Sequence, residues 1–260
     1  MSDAVKVVKN GPILEVTLDR PKANAIDQAT SQEMSRVFTE FRDDPEMRVA
    51  ILTGAGERFF SAGWDLSAAA EGEDYESDYG EGGFGGFCEL PNLNKPVIVA
   101  VNGMAVGGGF ELALAADMVV AAEHAEFFFG EVFAGVIPDA GTIRLPGNVP
   151  HQLANEWLMT GKRLSAEQLS YWGMINYVVP LEQLMDKARE LANDICSAAP
   201  LAVGAIKELM RDTKGMTTEE GFKFMREGGS PQYKKMLTSE DAEEGPRAFA
   251  EKRDPVWQGK

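Results

Sequence analysis

The chain opens on short alternating runs of apolar and polar residues. In Ile13 to Leu18, Leu14, Val16 and Leu18 alternate with Glu15, Thr17 and Asp19, and Val5 to Asn10 precedes them across Gly11-Pro12, so a β-hairpin is expected. The period then changes: Met34, Val37, Phe38 and Phe41 fall at i, i+3, i+4 and i+7, the buried stripe of a helix. Thr30 with Glu33 is expected to mark its start, and Asp43-Asp44-Pro45 its end. Val49 to Leu52, Val97 to Val101 and Met118 to Ala121 are continuous apolar runs and read as buried strands. Later the pattern turns helical. Ser165 with Gln168 makes a capping box, Leu184, Ala188, Leu191 and Ile195 form a stripe, and helices are expected from Pro200 to about Thr213, from Thr217 with Glu220, and from Ser239 to Lys252. An α/β class follows, with residues 1–195 as the core and 196–260 as a helical C-terminal region suited to packing against a neighbour.

Small residues interrupt this pattern where chemistry is expected. Gly107-Gly108-Gly109 follows an apolar strand and the turn Asn102-Gly103, and it opens a helix that carries Glu111 in its first turn. A helix N-terminus offers unpaired N–H groups and partial positive charge, which suit an oxygen that becomes negative during reaction. Such a triplet also serves as a plain tight turn. The same order of strand, turn, small residues and polar helix start occurs earlier, at Val49 to Asp65 through Phe59-Phe60-Ser61-Ala62-Gly63-Trp64. Two such units can supply two N–H donors to one oxygen, an oxyanion hole. Further on, Glu131 lies among Phe127, Phe128, Phe129, Val132 and Phe133, where desolvation would raise its proton affinity; the simpler alternative is an exposed loop glutamate. Ile137 to Thr142 reads as a turn.

Composition narrows the function classes. With 260 residues and 44% apolar content the chain can bury a full core. Its 41 acidic against 25 basic residues give a net charge of −16, which argues against nucleic acid and anionic membranes as partners. Two cysteines, Cys88 and Cys196, form neither a disulfide framework nor a CxxC, which fits a reducing cytosol and leaves no expected metal site. The start MSDAVKVVKN lacks an apolar targeting segment, so a cytoplasmic location is expected. His124 and His151 accompany no GxSxG elbow, and neither glycine cluster has GxGxxG spacing, which disfavours a serine-histidine triad and a dinucleotide site.

Between the two glycine-bearing units, Ala68 to Phe87 is acidic, aromatic and glycine-rich. Its simplest reading is a mobile surface loop. The sharper one is that its carboxylates and rings, with Trp64 just upstream and Tyr75, Tyr79 and Phe84 within it, attract a cation such as a quaternary ammonium.

LDRPKANAID near the start, FFSAGWDL, NGMAVGGGFELALAAD, GVIPDAGTIRLP and the terminal FAEKRDPVW together resemble the enoyl-CoA hydratase/isomerase (crotonase) superfamily over essentially the whole chain. The resemblance implies a spiral of β-β-α turns with a C-terminal helical extension, assembled as a homotrimer or a hexamer. It implies an acyl-CoA thioester substrate, with coenzyme A as part of the substrate and no metal or redox cofactor. It places the oxyanion-hole N–H groups at Ala62 and Gly108, and the catalytic carboxylates at Glu111 and Glu131. Lys22, Ala23, Ala25, Ala62 and Asp65 are implied for CoA binding, joined by Phe249 and Lys252 from a neighbouring subunit. Its departures from the family pattern are Gly130 in place of a proline and a turn at Asp139 to Thr142 that is one residue short. Two glutamates favour hydration over double-bond isomerisation, which needs no bound water. Retention of both oxyanion segments argues against a non-catalytic scaffold.

Overall fold

The computed structural model describes residues 4–260. Strands β1 (Val5–Asn10) and β2 (Ile13–Leu18) pair as the antiparallel hairpin that their alternation predicts, Val5 opposite Leu18 and Asn10 opposite Ile13. Helix α1 (Gln28–Asp43) buries Met34, Val37, Phe38 and Phe41. Its cap is Asp27, whose carboxylate accepts from the Thr30 N–H at 2.8 Å, and Thr30 lies buried inside the first turn. The Thr-x-x-Glu spacing therefore misplaces the start. An aspartate three positions earlier offers the same bond with a full charge at the positive end of the helix.

The chain then winds through three similar turns. The first is β3 (Val49–Gly54), β4 (Phe59–Ser61) and α2 (Leu66–Ala70); the second is β5 (Val97–Val101), β6 (Met104–Val106) and α3 (Gly108–Ala115). The third is β7 (Met118–Ala122), β8 (Glu126–Phe128) and α4 (Asp139–Arg144). After them come α5 (His151–Thr160), β9 (Leu164–Ser165), α6 (Ala166–Tyr171), β10 (Tyr177–Val179) and α7 (Leu184–Ser197). Each turn gives one strand to a long sheet, ordered β1-β2-β3-β5-β7-β10, and the next to a short sheet, ordered β4-β6-β8-β9. This is the expected spiral of β-β-α turns.

The continuous apolar runs have a simple cause: the long sheet is covered on both faces. Ala50, Leu52, Val97 and Val99 join the main core with Phe60, Phe110 and Phe127. Their alternates Val49, Ile51, Ile98 and Ala100 pack with Leu184, Ala188 and Ala192 of α7 on the other side. Each fully buried large side chain contributes about 1.5–3 kcal/mol. Helix α7 runs to Ser197 on this sheet, so its last two residues fall within the expected 196–260 region, and the remaining helical stretch follows it. It consists of α8 (Pro200–Asp212), α9 (Thr218–Arg226), α10 (Pro231–Leu237) and α11 (Glu240–Glu251). Helix α10 carries no long stripe and was not legible. Among the described residues no helix is long and apolar enough to cross a membrane.

Two segments differ from expectation. Residues 139–144 form α4 rather than an open turn. The Ala68 to Phe87 segment, expected as a free surface loop, is docked on α1: the Ser31 and Ser35 hydroxyls accept from Gly85 N at 3.0 Å and Gly82 N at 2.9 Å, and Gln32 donates to Asp78 O at 2.8 Å. Its acidic composition reads as solvated, yet side chains of the helix below satisfy its backbone groups.

Candidate active site

The sites singled out in the sequence meet at a cavity of about 140 Å³ lined by residues from all three turns, among them Ala62, Trp64, Gly108, Glu111, Glu131 and Asp139. The glycine triplet exists because three neighbours crowd it. A Cβ on Gly107, whose φ is +54°, would lie 2.1 Å from Glu131 Oε1; one on Gly108 would lie 2.3 Å from the Phe84 ring, and one on Gly109 2.3 Å from Ser61 O. The triplet is thus the point where the second glutamate, the acidic segment and the first small-residue unit converge. Gly63 closes the approach from the other side, since a Cβ there would sit 2.7 Å from both Gly108 N and Val106 O, at φ +76°.

The oxyanion donors need one correction. The Ala62 N–H donates to Ala23 O at 2.9 Å and is already used. In the same strip Ile26 N donates to Gly63 O and Asp65 N to Ile26 O, so the ladder with Ile26 passes over Trp64. Among the described residues neither Trp64 N nor Gly108 N has a backbone acceptor. Trp64 N–H, two residues beyond the expected position, is therefore the free donor beside the α3 N-terminus. Its indole is held by Glu73, which accepts from Trp64 Nε1 at 2.9 Å and from Gln28 N at 3.0 Å.

Glu111 is buried in the first turn of α3 and accepts from the Gly141 N–H of α4 at 2.7 Å through Oε1. Burial raises its pKa to about 8, opposed by that hydrogen bond and reinforced by the charges of Asp139 and Glu131. Glu131 begins a single 3-10 turn, 131–133, and its Oε2 is buried without a hydrogen-bond partner. Desolvation lifts its pKa to about 7, opposed by the N–H groups of Glu131, Gly130 and Gly108 and reinforced by Asp139. Phe127 and Phe129 are buried beside it, whereas Phe133 is exposed.

Trp64, Tyr75, Tyr79 and Phe84 all line the cavity. They form two edge-to-face pairs, Trp64 with Tyr75 at 5.2 Å between centroids and Tyr79 with Phe84 at 5.5 Å. Tyr75 Oη donates to Ile137 O at 2.6 Å and ties the segment to the chain just before α4. Sequence reasoning missed Asp139, Gly141 and the Trp64 N–H. The Pro138-Asp139 pair, a proline followed by an acidic residue as at many helix starts, was the available signal for α4.

The residues implied for CoA divide into two groups. Arg20 donates to Ala25 O at 3.0 Å and pairs with Asp65 at 2.6 Å and Asp27 at 2.7 Å, binding the 22–25 loop to the 62–65 strip. Asp65 also caps α2 through Ser67 N at 2.9 Å, so its carboxylate is occupied. Lys22 is exposed at the loop's apex with φ 77°. Phe249 and Lys252 stand exposed on and at the end of α11; neither lines the cavity of its own chain.

Two carboxyls of raised proton affinity beside two N–H groups without backbone acceptors make a candidate site for chemistry next to a carbonyl. Residues 8–260 match the family model described as enoyl-CoA hydratase/isomerase. The chain belongs to this family. Relatives from Citrobacter koseri and Salmonella enteritidis, both named carnitinyl-CoA dehydratase, are 58% identical over 100% of each chain. Among solved structures, an enoyl-CoA hydratase from Mycobacterium tuberculosis superposes with a TM-score of 0.89 at 38% identity, covering 100% of both chains. A probable enoyl-CoA hydratase/isomerase from Mycobacterium abscessus gives 0.88 at 40% identity, again over 100% of both. The protein is an enzyme, a hydro-lyase of CoA thioesters.

Proposed function

We propose that the enzyme interconverts carnitinyl-CoA and crotonobetainyl-CoA, the reaction named by its 58% identical relatives. The supporting observation is the pair Glu111 and Glu131, two carboxyls of raised proton affinity in one cavity with the N–H groups of Trp64 and Gly108, neither of which has a backbone acceptor.

In this reading the thioester oxygen lies between those N–H groups, which hold the negative charge of the enolate. For hydration, ionised Glu111 takes a proton from water as the hydroxyl oxygen bonds to Cβ. The π electrons move onto the thioester oxygen. Protonated Glu131 then gives its proton to Cα as the carbonyl re-forms. Dehydration is the reverse: Glu131 takes the α-proton and Glu111 protonates the departing hydroxyl. The steps use protein groups, water and the thioester, and call on no further cofactor.

CoA is assigned to the Lys22, Ala23 and Ala25 loop and the Ala62 to Asp65 strip, with Phe249 and Lys252 supplied by a second copy in a trimer or hexamer. Lys22 and Lys252 offset phosphate charge in an acidic protein. Free Cys88 and Cys196 fit a cytoplasmic setting. The test is loss of the conjugated thioester absorbance with crotonobetainyl-CoA and, separately, crotonyl-CoA. Preference for the first, abolished by Glu131→Gln, supports the reading; turnover of crotonyl-CoA alone refutes the assigned acyl group.

A further inference from the structure

A third carboxylate, Asp139, lines the same cavity, and the chemistry of Glu111 and Glu131 does not use it. It is the first residue of α4 and is exposed to solvent, so it lies at the mouth rather than among the buried groups. Its charge is felt across the whole space: it raises the proton affinity of Glu111, Glu131, Tyr75 and Tyr79. Its own hydrogen bond is local, from Ala140 N to Oδ1 at 2.6 Å.

The acidic segment, by contrast, places rings but no carboxylate on the cavity wall, although the charges of Glu73 and Asp74 reach Tyr79. None of its carboxylates lines the space. Glu73 is engaged by Trp64 and Gln28, Asp74 by Glu76 N at 3.1 Å, and Asp78 by Gly80 N at 2.9 Å. Trp64, Tyr75, Tyr79 and Phe84 supply an aromatic wall, and Asp139 supplies the anion beside it.

The geometry points to Asp139 as the specificity-determining counter-ion for a cationic acyl group, with Trp64, Tyr75 and Tyr79 as the aromatic wall that receives its methyls. A quaternary ammonium donates no hydrogen bonds, so ring faces and an anion recognise it where a hydrogen-bonding cage cannot. Glu111 and Glu131 cannot take this part, because each must gain and lose a proton in every turnover. Asp139 keeps access to water, so its charge remains hydrated in the empty site. The assignment rests on the hydratase reading for the placement of the thioester, and it adds the residue that distinguishes a charged from an uncharged acyl chain.

The experiment separates recognition from turnover. Binding of two unreactive saturated thioesters is measured by calorimetry: γ-butyrobetainyl-CoA and its uncharged isostere, in which a tert-butyl group replaces trimethylammonium. The unsubstituted enzyme is expected to bind the charged thioester about tenfold more tightly, the scale of one close charge pair in a half-solvated site. Asp139→Asn, which keeps the bond to Ala140 N, brings the ratio near unity, and Asp139→Glu retains most of it. Asp139→Ser, a second uncharged change whose hydroxyl can accept from Ala140 N, carries the same expectation as Asn. Equal binding of both thioesters by the unsubstituted enzyme overturns the assignment. So does a preference that survives Asn and Ser, or equal weakening of both ligands, which marks a structural role. Neither ligand reacts, so these outcomes leave the hydration assay to decide the hydratase reading on its own.

Discussion

The N–H of Gly141 donates to Glu111 Oε1 at 2.7 Å, joining the first turn of α4 to the first turn of α3. A Cβ at Gly141 would lie 2.6 Å from the ring of Phe129, which is fully buried and stacked on Phe110 at 4.7 Å. Neither ring has room to yield. Gly141→Ala should therefore displace α4 and misdirect Glu111, with an overpacking cost of about 1–3 kcal/mol. We expect kcat for hydration to fall about 10–100-fold while KM changes little, because the lost contact orients a proton-transfer group. Steady-state kinetics with a thermal melt check this; unchanged kcat in a folded variant removes the orienting role.

The two carboxyls set the pH dependence. Burial brings Glu111 to about 8 and Glu131 to about 7, and Glu131's charge adds to the Glu111 shift, so they titrate as a pair. Hydration needs one proton on the pair, and needs it on Glu131; since Glu111 holds a proton more tightly, that is the minor arrangement of the singly protonated pair, while two protons leave no base and none leaves no acid. The profile of kcat/KM should be a bell with both limbs near neutrality. Asp139→Asn should move both limbs to lower pH, since Asp139 raises both groups. A profile flat across neutrality, with its acid limb near the ordinary carboxyl value, contradicts the shared proton.

Glu131 should cost stability while serving catalysis. Its folded pKa of about 7 lies above the free value of 4.5, so the folded state binds the proton more tightly than the unfolded state. The penalty is absent at acid pH, grows as pH rises above the unfolded value, and is complete above the folded one. Glu131→Gln should abolish hydration yet stabilise the protein at about pH 8 by on the order of 1–3 kcal/mol, with no gain at about pH 4. Denaturant midpoints at the two pH values read this directly. A gain of the same size at both would mean that the effect is not ionisation.

Gly63→Ala tests the alignment of the two oxyanion segments. The added methyl would meet Gly108 N and Val106 O at 2.7 Å, on a residue with positive φ. Separating the Trp64 and Gly108 donors should lower kcat about 10²–10³-fold, the usual effect of losing one such donor. CoA-thioester binding should weaken less than turnover, because Arg20 still ties the 22–25 loop to Asp65, two residues beyond the added methyl. If binding and turnover fell together, the site would have collapsed as a whole.

What the sequence made legible was local. The hairpin, the α1 stripe and the approach of Gly107 to Gly109 to Glu111 follow from spacing within a dozen residues. The Trp64 donor was misassigned to Ala62 because which N–H remains free depends on pairing with Ile26, a contact no short-range pattern reports. Asp139 was hidden for a related reason: α4 is six residues long and carries too little periodicity to stand out from a turn. The acidic segment misled by composition, since its anchors are Ser31 and Ser35 on a different helix. Boundaries erred where two capping groups competed, as at Asp27 and Thr30.

The cavity takes its walls from residues 62–66, 75–84, 106–111 and 130–139: two strips from the first turn and the segment after it, and one from each of the next two turns. The first two turns, through α3, carry both strips of the proposed oxyanion hole, whereas Glu131, Asp139 and the Gly141 amide that binds Glu111 come with the third. The proposed reaction therefore needs all three turns in place, and removing any one strip is expected to end turnover rather than to leave a partial activity.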